Sequence, residues 1–546
     1  MCLPDETTSH RFEYVVVGAG SSGATLATRL SERIAGRVLL LEAGAARQKD
    51  FWIRVPVGLA KILSNPDYVW PFNTEPQSGL AGQPVYWPRG RLPGGSSSIN
   101  GMVFVRGEPA EFDHWRELGN VGWGYADVLP YFKRLEATSI GASDQRGRDG
   151  PVSVIDLAAD SDELSDAFLS ACQEAGIAPT KDYNGGQYEG VGYLQLSTVR
   201  GERCSTARAY LDDRPRRPNF TLETEAVATH VLFEGQRAIG VEYRRGGKLL
   251  QAYAEREVIL AAGPIKSPQL LELSGVGNAA LLQTLGVPVV HHLPGVGENL
   301  IDHLQSRLTY ACARSITLNE ILASPLRQAW MGAKYLASRR GLMATPGCTV
   351  HALTRTSAGQ ERPNVKLQLH HLSGKDRYAT AKGYGLDEYP GFTIGFFKLR
   401  PESRGFVHSR SAHALEDPEI EPRYLSAQSD RHAILAALRL ARTVMQQPGM
   451  APYVKRETRP GPEIVADEDL LGYIRQSAQT SWHPVGTCKM GIDAMAVVDS
   501  SLRVRGVSSL RVVDSSIMPT LPASNPNAAA IMIGEKAADL ILGREH

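Results

Sequence analysis

The chain has 546 residues, 42% of them hydrophobic and 21% charged, and a net charge of +1. That length supports two domains or more, and the near-neutral balance argues against nucleic acid as the main partner. No run of about 18 apolar residues occurs, so no transmembrane span is expected, while peripheral membrane contact stays open.

The start, MCLPDETTSHRFE, is polar and acidic and lacks an apolar signal core. The six cysteines are scattered without a CxxC pair. A disulfide framework or a zinc site is therefore disfavoured, and a reducing cytoplasm is expected. Next, EYVVVGAGSSG reads as a β-branched strand breaking into Gly18-x-Gly20-x-x-Gly23, and VLLLE as a second strand ending on Glu42. The first glycine permits a tight turn, the second lets a pyrophosphate approach the backbone, and the third packs helix on sheet. Ser22 lies in the first helical turn, where free N–H groups and the dipole favour phosphate. Glu42, followed by Ala43, is placed to accept hydrogen bonds from a ribose.

Residues 46–110 are rich in Pro, Gly and aromatics, and their end, RGRLPGGSSSINGMVFVRG, reads as a loop feeding a helix N-terminus near Ser97. Helices are predicted over 112–136 and 161–176. Alternation over 219–260, with turns at Glu234-Gly235 and Arg245-Gly246-Gly247, predicts a small antiparallel sheet. VILAAGP (258–264) predicts a buried strand, followed by a helix over 267–273. Farther on, helices are expected at 327–338 and 430–446, with strands in VKLQLHHL and FTIGFFKL. LRVVD (510–514) predicts another buried strand and 527–542 a final helix. There is no internal repeat.

The expected fold class is α/β: a Rossmann-like dinucleotide-binding domain joined to a second domain built on an antiparallel sheet with helices. The first domain is discontinuous, over 1–160, 200–310 and 468–546. The second takes 161–199 and 311–467.

Five stretches in order resemble the glucose–methanol–choline oxidoreductases, a flavoprotein family. They are the N-terminal fingerprint with Glu42, GRLPGGSSSIN (90–100), GPIKSPQLLELSGVG (263–277), LPGVGENLIDH (293–303), and HPVGTCKMG (483–491) with SNPNAA (524–529). The texture is closest to the choline dehydrogenase-like and aliphatic alcohol dehydrogenase branches. The resemblance implies FAD as cofactor. Gly94, Gly95 and Ser96, with Asn100, Gly101, Met102 and Val103, resemble the loop that passes over the flavin and its phosphates. Val227 resembles the position whose backbone meets adenine. Ala262, Gly263, Asp514 and Ser515 resemble the other strand-tip contacts. Trp482, just before HPVGT, and Asn525, within SNPNAA, are likewise expected among the cofactor contacts.

Three departures stand out. Pro93 replaces the family's usual aliphatic residue. Some relatives hold FAD covalently through a histidine where this chain has Ile99, so a non-covalent cofactor is expected. Choline-oxidising relatives carry an acid where this chain has Thr349, which argues against a cationic substrate.

Alcohol oxidation by a flavin needs a base for the hydroxyl proton, while the α-hydride goes to flavin N5. Histidine suits the first task because its pKa lies near working pH. The resemblance assigns that role to His483, and a contact with the substrate oxygen to Asn527, which follows Pro526 at the start of the last helix. That N-terminus, with Ala528–Ala530, would stabilise reduced flavin. Phe396, Phe397 and Lys398 are candidate pocket residues. The pairs His291-His292 and His370-His371 lack an accompanying acid motif, and no metal site is expected.

The leading expectation is an FAD-dependent alcohol dehydrogenase for primary aliphatic or benzylic alcohols. Electrons pass to a quinone or another carrier. The site of action is the cytoplasm or its membrane face. Alternatives are an oxidase of the same fold using O2 and making H2O2, a flavin-bearing hydroxynitrile lyase, and a nicotinamide dehydrogenase. The later motifs, which surround an isoalloxazine, weigh against the last. Oligomeric state is left open.

Overall fold

The computed structural model describes residues 11–142, 144–212, 217–375 and 385–543. Two seven-stranded sheets organise them. In the first, Phe220–Glu223, Val38–Leu41, Arg11–Val17 and the far half of Lys248–Leu260 run parallel, and Leu510–Val512 joins that far half. The β-branched and leucine-rich runs form its centre, where Val15, Val16 and Val38–Leu40 are fully buried, as strands covered on both faces must be. Helix Ser21–Arg33 packs against the last helix, Asn527–Leu542, with Arg29 paired to Glu535 at 2.9 Å.

The alternation over 219–260 does not make a sheet of its own. Val227–Glu234 and Arg237–Arg245 form hairpins, and the third member, Lys248–Leu260, continues for 13 residues into the parallel sheet. The stretch Ala254–Glu257 contains no Gly or Pro, so nothing ends the strand, and the predicted separate strand at 258 is its far end.

The second sheet is antiparallel, in the order Val454–Arg459, Leu304–Cys312, Gly391–Lys398, Val365–His370, Cys348–Thr354, Gly190–Tyr193. Leu304–Cys312 lies wholly in this sheet, although the expected boundary at 310 would divide it. Helices Gln428–Met445 and Glu163–Glu174 cover one face.

Two further expectations are corrected. The helix predicted over 112–136 is two helices, Pro109–Glu117 and Tyr125–Leu135. Gly119, at φ +94°, ends the first in a backbone region that side chains resist. The loop at 90–103 feeds only a short turn, Gly95–Ser98, and the next helix begins at Pro109. Asn100 Oδ1 accepts from Met102 N at 2.9 Å, a local turn that closes off helix propagation. Among the described residues no helix is long and apolar enough to cross a membrane.

Candidate active site

One long cavity is lined from both sheets. At its first end lies the glycine turn. A Cβ on Gly18 would stand 2.5 Å from Ala261 O, and one on Gly23 only 1.9 Å from Gly18 O, whereas one on Gly20 would meet nothing nearer than 4.0 Å. Gly18, Gly20 and Ser22 line the cavity, and Gly23 instead lets the helix touch the strand. Ser22 Oγ donates to Ala530 O at 2.6 Å.

Glu42, at the tip of the second strand, lines the cavity next to Ala43. Its carboxylate accepts from Ala19 N at 3.1 Å and Gly44 N at 2.8 Å. Burial pushes its pKa up to about 7 against those bonds. A buried acceptor at this place fits the hydroxyls of a dinucleotide ribose.

Gly95, Ser96, Asn100, Gly101, Met102 and Val103 also line the cavity. Gly94 does not; its N–H donates to Ala19 O at 2.7 Å and supports Gly95 beside Gly20. Ile99 is in the wall and offers no nucleophile. Val227, Ala262, Gly263, Asp514 and Ser515 complete this end. Asp514 accepts from Gly263 N at 2.9 Å, Ser267 Oγ at 2.6 Å and Ser516 N at 2.8 Å. The N-termini of helices Ser21–Arg33, Gly263–Leu273 and Asn527–Leu542 all contribute to the wall, a concentration of positive dipole ends suited to phosphates and to charge on a flavin.

His483 stands in the wall between the two sheets. Trp482 before it has φ +59°, a region a bulky side chain rarely enters, and Pro484 follows. The strain is held by Trp482 N donating to Thr480 Oγ1 at 2.6 Å, by Arg89 Nη2 donating to Trp482 O at 3.1 Å, and by His483 N donating to Asp302 Oδ1 at 2.7 Å.

The protons of this site follow from its partners. His303 Nε2 lies 2.8 Å from Leu399 O, a pure acceptor, so Nε2 carries the hydrogen. Burial lowers the His303 pKa to about 3, so its Nδ1 is bare. His483 Nδ1, 3.0 Å away, must therefore donate to it. That leaves His483 Nε2 with its lone pair, which accepts from Asn525 Nδ2 at 2.9 Å. The amide is oriented in turn by Lys366 Nζ, which donates to Asn525 Oδ1 at 2.9 Å. Burial, then His303, Lys366 and Arg89, hold the His483 pKa well below its usual value, not near working pH as expected.

Asn527 is not brought to His483. Its Oδ1 accepts from Ser21 Oγ at 2.6 Å at the helix start, and Asn525 takes the place predicted for it. The intervening Pro526 turns the chain, so two asparagines two residues apart face different partners.

Phe397 lines the cavity and stacks on His303, with centroids 4.4 Å apart. Phe396 packs into the core on the other face, and Lys398 pairs with Asp430 at 2.8 Å. His303, Asp302, Cys348, Gln305, Lys366, Gln368 and His370 went unassigned in the sequence. The first two close LPGVGENLIDH, which is a signal. Lys366, Gln368 and His370 are the polar members of an alternating strand, a period of two that places them on one face.

Comparison with known proteins agrees with this geometry. GMC oxidoreductase family models match residues 12–305 and 401–534. An oxygen-dependent choline dehydrogenase of Photobacterium profundum is 42% identical over 97% of this chain and 93% of its own length. The mitochondrial choline dehydrogenase of Homo sapiens is 43% identical over 98% and 90%. The pyridoxine 4-oxidase structure from Mesorbium loti superposes with a TM-score of 0.87 at 30% identity, over 98% of this chain and all of that one. With the paired glycine turn and Glu42, the His483–Asn525 pair and near full-length similarity in accord, the chain belongs to the GMC oxidoreductase family, a flavin-dependent oxidoreductase whose cofactor is FAD.

Proposed function

We propose that the protein oxidises a primary alcohol, aliphatic or benzylic, to the aldehyde and passes the electrons to a quinone or another carrier. The observation that carries this reading is the unprotonated Nε2 of His483 accepting from Asn525 Nδ2 at 2.9 Å, an acceptor and a donor paired in the cavity wall. An alcohol oxygen that displaces this hydrogen bond donates its proton to Nε2 and accepts from the Asn525 amide. Bound FAD supplies the acceptor for the α-hydride at N5. His303 accepts from Nδ1–H throughout, so the imidazolium formed keeps its orientation.

Residues Gly18, Gly20, Glu42, Gly95 and Asp514 would hold the dinucleotide portion, and Ile99 gives no covalent link. Cys172, Cys312, Cys348 and Cys488 are free and buried, which supports a reducing compartment, the cytoplasm. Contact with the inner face of a membrane is supported by helix Pro325–Ser338, where Leu326 and Trp330 are 84% and 73% exposed beside Arg327 and Lys334.

The test is anaerobic. Primary alcohols should bleach the yellow enzyme, and acid precipitation should release the flavin into the supernatant. No bleaching across an aliphatic and benzylic panel would defeat the reading. Re-oxidation by a quinone dye but not by air supports the dehydrogenase over the oxidase.

A further inference from the structure

We propose that Lys366 determines specificity: its buried ammonium, set behind the His483–Asn525 pair without a carboxylate partner, makes the substrate end of the cavity reject cationic alcohols and take uncharged ones. This rests on the alcohol-oxidising reading and names the substrate class within it.

Lys366 is 1% exposed on strand Val365–His370. Its Nζ donates to Asn525 Oδ1 at 2.9 Å, and the same amide reaches His483 Nε2 at 2.9 Å. The ammonium is thus one side chain away from the place where the substrate oxygen binds. Among the described residues the titratable group that acts on it is the Cys348 thiol, and no carboxylate does. Buried cations are ordinarily paired, because an unpaired one has lost its hydration without recompense.

At this end the cavity wall offers no carboxylate to a second cation, and the Phe397 ring there already lies 5.9 Å from Lys366 Nζ. The wall's two described carboxylates, Glu42 and Asp514, lie at the dinucleotide end, each held by backbone N–H groups. The sheet face opposite carries Gln305, Cys348, Gln368, His370 and Phe397. Asp302, a buried acid, stands behind His483 with its oxygens taken by His483 N, Thr480 Oγ1 and Tyr424 Oη. Arg89 adds a further positive charge acting on His483, and Arg307 one acting on His370. Thr349 turns away from the cavity: its Oγ1 meets Ser165 Oγ at 2.5 Å and His371 Nε2 at 3.0 Å. A quaternary ammonium entering here would lose its water, find no counter-charge and face Lys366. A neutral group of the same shape meets none of these costs and gains the apolar contacts of Phe397 and Leu372.

Choline and 3,3-dimethylbutan-1-ol separate charge from shape, since the second replaces the ammonium nitrogen by carbon. Burial lowers the Lys366 pKa to about 8, so the FAD-loaded enzyme is tested at pH 7, where Lys366 is charged. In anaerobic stopped-flow, kcat/KM should favour the neutral alcohol by about 100-fold or more. Lys366→Gln should cut that ratio by about tenfold, and Lys366→Arg should keep it. FAD content and Tm check that each variant folds, and Lys366→Met replaces Lys366→Gln if the latter does not. Choline equal to or better than its isostere in the wild-type enzyme overturns the proposal. So does an unchanged ratio in a folded charge-removed variant. If neither alcohol reduces the flavin, the alcohol-oxidising reading loses these substrates, and the same pair is compared as ligands by perturbation of the flavin spectrum. Tighter binding of the neutral one then supports the proposal; equal binding, tighter choline or no perturbation overturns it.

Discussion

His303 and His483 meet through their two Nδ1 atoms, 3.0 Å apart with rings nearly perpendicular, and that contact admits a single hydrogen. Since His303 gives its own hydrogen to Leu399 O, the shared one belongs to His483. One histidine thereby sets the tautomer of the other.

Removing the acceptor should therefore impair the base without touching the cofactor. His303→Leu is expected to keep FAD bound and slow alcohol-driven flavin reduction by about 10- to 100-fold, the scale for a lost orienting partner. His483→Ala should slow it by about 10²-fold or more. Because His483 stays unprotonated to well below pH 6.5, wild-type reduction should show no His483 ionisation between pH 6.5 and 9. A rise in that window that vanishes in His483→Ala would contradict the assignment.

The two asparagines should separate by half-reaction. Asn525→Ala removes the donor beside Nε2 and the acceptor of Lys366, and should slow flavin reduction by roughly tenfold or more. Asn527→Ala removes the acceptor of Ser21 Oγ, worth about 1 kcal/mol, and should show mainly as weaker FAD retention. Equal slowing of reduction in fully FAD-loaded forms of both would reverse the roles drawn from the distances.

Glu42 should make cofactor binding pH-dependent. Burial raises its pKa to about 7 in the protein without ligand, so the charged acceptor is present above that value and lost below it. FAD affinity should fall as pH drops from 8 to 6. Glu42→Ala should lose about 1.5–3 kcal/mol of affinity, measured by flavin fluorescence titration, together with the pH dependence. Thermal stability at fixed FAD should drop in step.

His408 links the hairpin at Phe406–His408 to the helix Gly263–Leu273, with Nδ1 2.7 Å from Glu272 and Nε2 3.2 Å from Glu298. Despite the opposing effect of burial, the two carboxylates raise its pKa to about 9. A folded-state pKa raised above the unfolded 6.5 contributes stability that is complete below pH 6.5 and disappears as pH rises through 9. Urea midpoints of the wild-type protein and His408→Gln should differ most at pH 6 and converge towards pH 10; a constant difference would assign the loss to packing.

The nucleotide end was readable because its chemistry depends on neighbours in sequence. Gly18, Gly20, Gly23 and Glu42 lie within one strand–helix–strand unit, and each stands where the spacing put it. The strands of the second sheet were visible as alternation, but their pairing was not, since Leu304–Cys312 finds its partner at Gly391–Lys398 across a long excursion. The same distance hid the substrate end. Nothing near Asn525 in sequence says that Lys366 orients it, and only the turn at Pro526 separates its role from that of Asn527. The helix over 112–136 failed for a local reason, the glycines from Gly119 to Gly124 within an otherwise periodic run.

The Ser21–Asn527 hydrogen bond joins residues 506 positions apart, and Leu510–Val512 closes an edge of Lys248–Leu260. Both contacts matter to a chain still on the ribosome. The interval between residues 260 and 510 takes about 12–50 s to synthesise at typical rates. Over that time the far half of the long strand keeps an open edge, and Ser21–Arg33 lacks the helix that covers it. The nascent chain thus offers an unpaired strand and an uncovered apolar helix face to its surroundings, the features that chaperones bind and aggregates recruit. Truncation of the last helix should therefore lower soluble yield as well as FAD retention.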